Sequence, residues 1–102
     1  MDLKPGTRWT SQVDDTEVIV VRPPTGEVSL ECGGYPMVAV GSDKSANLVL
    51  DQAFAQGTLI GKRFADPKSG LELLVTKAGA GGLAVDGEAI APKDAKPLPS
   101  SD

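Results

Sequence analysis

Residues 16–31 read TEVIVVRPPTGEVSLE. Val18 to Val21 form an unbroken β-branched run, the signature of a buried strand. Pro23 and Pro24 cannot donate ladder hydrogen bonds, and Gly26 permits a positive φ, so a turn must follow. EVSLE then alternates apolar and polar, the period-2 pattern of a half-buried strand. The pattern predicts a β-hairpin or an open β-loop-β unit. Residues 71–90, LELLVTKAGAGGLAVDGEAI, repeat the scheme: an apolar run, a glycine turn, a second strand LAV, then EAI. Asp86-Gly87 between the last two is a two-residue hairpin signal, because a type I′ turn needs positive φ at both central positions.

The two stretches align without a gap at an offset of 55 residues, 6–31 over 61–86. Identities fall at Gly6/Gly61, Arg8/Arg63, Glu17/Glu72, Val20/Val75 and Gly26/Gly81, with Trp9 over Phe64. Strand, turn and strand coincide, which favours duplication over chance. The expected fold is therefore all-β: two tandem β-hairpin units in a small sandwich or partial barrel, each opened by Gly-x-Arg-aromatic. One β domain spans 1–91, with units 6–38 and 61–91 joined by 39–60. In the joining region PMVAV reads as a strand. GSDKSAN reads as a loop. A strand at 47–50 and one helical turn at 51–56 complete it. Residues 92–102, rich in proline and small polar residues, read as a flexible tail.

Composition narrows the function. A chain of 102 residues forms one compact domain with a thin stability margin. Its 12 glycines and 8 prolines fit a turn-rich fold. The net charge of −4 opposes a nucleic-acid surface and binding to anionic membranes. There is no histidine, which removes the commonest general base and zinc ligand. The longest apolar run, VIVV, is far too short for a helical membrane span, and no secretory leader is visible, so a cytoplasmic setting is expected. With one cysteine, Cys32, there is no internal disulfide. KAGAGG lacks the Gly-Lys-Ser/Thr ending of a P-loop and precedes a strand, so it reads as a turn. Asp14, Asp15 and Glu17 form an acidic cluster whose spacing fits no EF-hand and reads as a solvated turn. Arg8-Trp9 and Arg63-Phe64 read as cation–π or core-edge pairs rather than stacking platforms for nucleic acid.

LECGGYPMV, residues 30–38, looks like half of a metal knuckle. Residues 8–38 resemble desulforedoxin and the N-terminal domain of desulfoferrodoxin. In that family an aromatic precedes Cys-x-x-Cys-Gly. A strand, a glycine turn and a second strand follow, closed by Cys-Cys-Gly-x-x-Met-Val. Here Trp9 stands at the aromatic, Ser11 and Asp14 at the first cysteine pair, Glu31 and Cys32 at the second, and Met37 at the methionine. The resemblance implies a rubredoxin-like unit in which four thiolates hold one iron and two chains pair, an arrangement a fused repeat would mimic. Three of the four thiols are absent. At the same offset of 55 the second unit would carry Asp66, Ser69, Asp86 and Gly87. The metal-ligand candidates are Cys32, Glu31, Asp14 and Ser11. A set of one thiol with hard oxygens suits iron or zinc poorly. Glu31 beside Cys32 is expected to raise the thiol pKa.

With no acid–base pair, activated nucleophile or cofactor fingerprint in the sequence, the expected function is non-enzymatic. It is that of an accessory module binding a protein partner or itself on a degenerate knuckle scaffold, with no bound cofactor. The alternatives are an iron- or zinc-binding or electron-transfer protein centred on Cys32, and a small-ligand carrier.

Overall fold

A computed structural model describes residues 1–93. It is all-β, in two antiparallel sheets that do not close into a barrel. The strands are β1 (Arg8–Thr10), β2 (Glu17–Arg22), β3 (Leu30–Cys32), β4 (Tyr35–Pro36), β5 (Val38–Ala39), β6 (Arg63–Ala65), β7 (Glu72–Lys77), β8 (Leu83–Val85), β9 (Glu88–Ala89) and β10 (Ala91–Pro92). One sheet runs β10-β6-β7-β2-β1-β5 and the other β4-β3-β8-β9. Among the described residues no helix is long and apolar enough to cross a membrane.

The proline turn after β2 sends the chain into the other sheet, so β2 and β3 form the open β-loop-β alternative. Each central strand pairs with its counterpart from the other half of the chain. In the six-stranded sheet Ile19 lies opposite Leu74; in the four-stranded sheet Glu31 lies opposite Ala84. The same order of elements recurs, but the spacing changes along the chain. It is 55 residues for β1/β6 and β2/β7, and 53 for β3/β8, β4/β9 and β5/β10. The second connection between sheets is two residues shorter. The gapless alignment therefore slips after the first two strands. Leu83, not Val85, is the counterpart of Leu30, which instead faces Val85 across the ladder.

Period-2 alternation places the core between the sheets. Val18, Val20, Leu73 and Val75 bury their side chains from one sheet, and Leu30, Cys32, Leu83 and Val85 from the other. Phe64 is buried, and Trp9 packs partly buried against the same cluster while its indole Nε1 donates to Thr7 Oγ1. The short hairpins β3-β4 and β8-β9 close on Gly33-Gly34 and Asp86-Gly87, all four with positive φ, as type I′ geometry requires.

Two expectations fail in the joining region and at the C-terminal end. No strand forms at 47–50. Asn47 takes a positive φ, and the chain is held instead by Asp51 N donating to the Gly33 carbonyl. The helical turn is a 3-10 turn at Gln52–Phe54, capped by Asp51, whose Oδ1 accepts from Ala53 N. The chain stays with the sheet beyond residue 91: Pro92 belongs to β10, and Lys93 N donates to the Arg63 carbonyl. The rest of the expected flexible tail, residues 94–102, lies outside the described residues.

Candidate functional site

Three of the four candidate ligands converge. Ser11 follows β1, Asp14 sits in the turn between β1 and β2, and Cys32 ends β3. Ser11 and Cys32 are fully buried. Cys32 Sγ donates to Asp14 Oδ1 at 3.7 Å. Glu31 does not join them. It alternates with Cys32 along β3, so it turns to the opposite face, where it accepts from Gly87 N at 2.9 Å and Ser29 Oγ at 3.3 Å. The Asp14-Asp15-Glu17 cluster also separates: Asp14 points inward, Asp15 is exposed, and Glu17 accepts from Thr76 Oγ1 and approaches Lys77.

The turn explains how oxygens stand where the resemblance places thiols. Val13 N donates to Ser11 Oγ at 3.1 Å and Thr16 N to Asp14 Oδ2 at 3.3 Å. The second half builds the same turn with the two residue types exchanged. Lys68 N donates to Asp66 Oδ1 and Leu71 N to Ser69 Oγ, both at 3.3 Å. Asp66 and Ser69 thus take the same places in their turn as Ser11 and Asp14. Asp86 and Gly87 are not counterparts of Glu31 and Cys32. At the spacing of 53 those places fall to Ala84 and Val85, so the second half closes its turn over apolar side chains.

Sequence reasoning missed the rest of the first centre. Thr16, fully buried, donates its hydroxyl to Asp14 Oδ2 and lies 3.3 Å from the Thr58 hydroxyl. Gly81 N donates to Asp14 Oδ2 at 2.9 Å, and Gly79 N to Thr58 Oγ1 at 3.1 Å. The glycine run 79–82 therefore lies directly on the centre. A Cβ at Gly81 would stand 2.9 Å from both Asp14 Oδ1 and Cys32 Sγ, and one at Gly79 would collide with Asp14 and Thr16. None of Gly79, Gly81 and Gly82 has positive φ, so space rather than turn conformation demands glycine. Three glycines in four positions, more than a turn needs, was the available signal.

Electrostatics follow from this packing. Burial alone would raise the Asp14 pKa. Hydrogen bonds from the Ser11 and Thr16 hydroxyls and from the Gly81 and Thr16 amides outweigh it and hold the carboxyl below its ordinary value. Burial, and then the adjacent Asp14 charge, push the Cys32 thiol up to about 12. The direction is the one expected, but Asp14 rather than Glu31 is the charged neighbour. Among the described residues every buried side-chain nitrogen or oxygen has a hydrogen-bond partner.

This donor set does not fit the iron centre that the resemblance implies. It offers one thiol held protonated, one carboxylate already accepting several hydrogen bonds, and one serine hydroxyl, with Glu31 turned away. Among the described residues no three histidine, cysteine, aspartate or glutamate side chains gather as a metal-ligating group. The centre is a hydrogen-bonded polar plug that ties the two halves of the chain together.

A surface feature stands apart from it. Lys62 N donates to the Leu59 carbonyl at 3.2 Å, closing a turn that leads into β6. At the tip, Leu59 and Ile60 are 64% and 69% exposed. The counterpart turn before β1 has the same bond, Thr7 N to the Lys4 carbonyl at 3.2 Å, but carries Lys4 and Pro5 there. Turn geometry therefore does not require apolar residues. Below Leu59 lies a groove of about 320 Å³ lined by Gln56, Thr58, Leu59, Lys62, Phe64 and Pro92. No family model, curated protein or solved structure matches this chain.

Proposed function

We propose that this chain is a non-enzymatic interaction module that binds a protein partner, or itself, through the apolar turn at Leu59-Ile60 and the groove beside it. The carrying observation is the exposure of two adjacent large apolar side chains on a turn whose counterpart does without them. A cytoplasmic setting accords with a single protected thiol.

The sheet edges are weaker docking places. Met37 N and Lys93 N both point inward to a neighbouring strand. By alternation the nitrogens of Pro36 and Pro92 point outward, and proline has no hydrogen to offer there. Edge strands β4 and β10 are thereby blunted, and β5 and β9 are only two residues long.

The test replaces the turn tip with its own counterpart, Leu59→Lys with Ile60→Pro. The variant should keep the wild-type melting temperature while losing partner capture from lysate or concentration-dependent self-association. Equal capture and equal association by both proteins would refute the reading.

A further inference from the structure

Resting on that reading, we infer that the groove beside Leu59 takes an extended peptide that sets an apolar side chain next to a carboxylate. Phe64, buried and paired through β6 with Pro92 of β10, lines it together with the exposed Leu59 and Pro92. About 320 Å³ lies at the small end of ligand sites, which run ~300–1,000 Å³. That is room for one or two side chains rather than a cofactor.

Charge selects among apolar occupants. Two hollows flank the Leu59-Ile60 turn. In the one beside Ile60, Lys44 and Lys77 are matched by Asp15 and Glu17. In the groove, Lys62 is the charged lining residue, and among the described residues no carboxylate lines it or lies within ion-pair distance of Lys62. The chain as a whole carries −4, so an acidic segment meets repulsion over much of the surface and, among the described residues, a cation with no carboxylate partner here. The same net charge disfavours an anionic lipid surface, and a concave groove floored by a ring fits a side chain better than an acyl layer. A blunted β10 edge means that the peptide is held by its side chains across the groove and not by added ladder bonds.

The experiment measures anisotropy of a dye-labelled hexapeptide, Leu-Phe flanked by two glutamates on each side, against the full chain. A matched peptide carries lysines in place of the glutamates. Saturable binding of the acidic peptide alone is expected, weakened about fivefold or more by Lys62→Glu and abolished by Leu59→Ser with Ile60→Pro, a turn variant that removes the apolar side chains without adding a charge. Added salt should weaken it severalfold. Equal binding of both peptides, or an unchanged affinity in Lys62→Glu, would overturn the acidic assignment while leaving the apolar patch intact. No binding of either peptide, with a dimer in sedimentation that the turn variant abolishes, would make a second copy the occupant. Binding of phosphatidylserine vesicles in place of the acidic peptide would make it a membrane. Loss of no interaction in the turn variant would sink the underlying reading itself.

Discussion

The Gly81 amide donates to Asp14 Oδ2 at 2.9 Å across 67 positions of sequence. Through that bond the glycine run of one half of the chain seals the turn of the other. Removing the acceptor should be costly, because Thr16 N, the Thr16 hydroxyl and Gly81 N would all lose it. Asp14→Ala is expected to destabilise the fold by about 2–4 kcal/mol, since hydrogen bonds to charged groups are worth ~1.5–3 kcal/mol and buried donors left unpaired add to that. Urea unfolding with a shared m-value measures it. A loss below about 1 kcal/mol would mean that water replaces the carboxylate freely.

Glycine substitutions should separate space from conformation. Gly81→Ala pushes a methyl against Asp14, Cys32 and Gly33 N, and an overpacked site of this kind costs ~1–3 kcal/mol. Gly26 has open space around it but a φ of +81°, so Gly26→Ala should lose only about 1 kcal/mol, from backbone strain. Melting temperatures of the two variants in one buffer rank the effects. The reverse order would contradict the close approach of residues 79–82.

The plug also fixes a pH profile. Cys32 has a raised pKa, so its contribution to stability is full below the unfolded value near 9 and is lost as pH rises toward about 12. Between those limits stability should fall by up to ~1.4 kcal/mol per pH unit from this group. Cys32→Ala should lack that part of the alkaline slope. Asp14 acts in the other direction. Its pKa is lowered, so its contribution is present above the ordinary value of 3.8 and is lost as pH falls through the lower folded value. Denaturation midpoints of wild type and each variant from acid to alkaline pH test both signs.

The apolar residue at the place of Cys32 in the other half predicts a graded pair of substitutions. Val85 stands where Cys32 stands in the other half. Cys32→Val keeps the apolar character but adds a branched carbon beside Gly81, so it should cost ~1–3 kcal/mol, the range of a small-to-large change in a packed core. Cys32→Asp would set a second carboxylate beside Asp14 in a buried place and should prevent stable folding at neutral pH. Circular dichroism melts distinguish the two.

What could be read from the sequence was what local pattern determines. The Val18–Val21 run, the Asp86-Gly87 turn and the single helical turn each depend on neighbours a few residues away. Ser11, Asp14 and Cys32 meet through the turn between β1 and β2 and the end of β3, a contact that no local pattern encodes. Glu31 was misplaced because adjacency in sequence is opposition in a strand. Thr16 and Thr58 were missed because they meet only in the folded chain, and the surplus of glycine at 79–82 was the one local trace of that meeting. The change of spacing from 55 to 53 was hidden because Val85 and Asp86 mimic Leu30 and Glu31 at the wrong offset, although leucine at both 30 and 83 marks the right one.

The pairing of β2 with β7 has a consequence for the order of events in synthesis. Strand β2 ends at Arg22, and β7 does not begin until Glu72. At ~5–20 residues per second, a ribosome needs about 3–10 s to travel between them. During that interval Val18 and Val20 belong to a strand that lacks its main neighbour. Neither half can bury its apolar face early, and the central ladder closes only when nearly the whole chain is available. Such dependence on distant contacts puts folding on the slow, millisecond-to-second side of small domains. It also makes the first half, while it waits, the segment most in need of protection from other nascent chains.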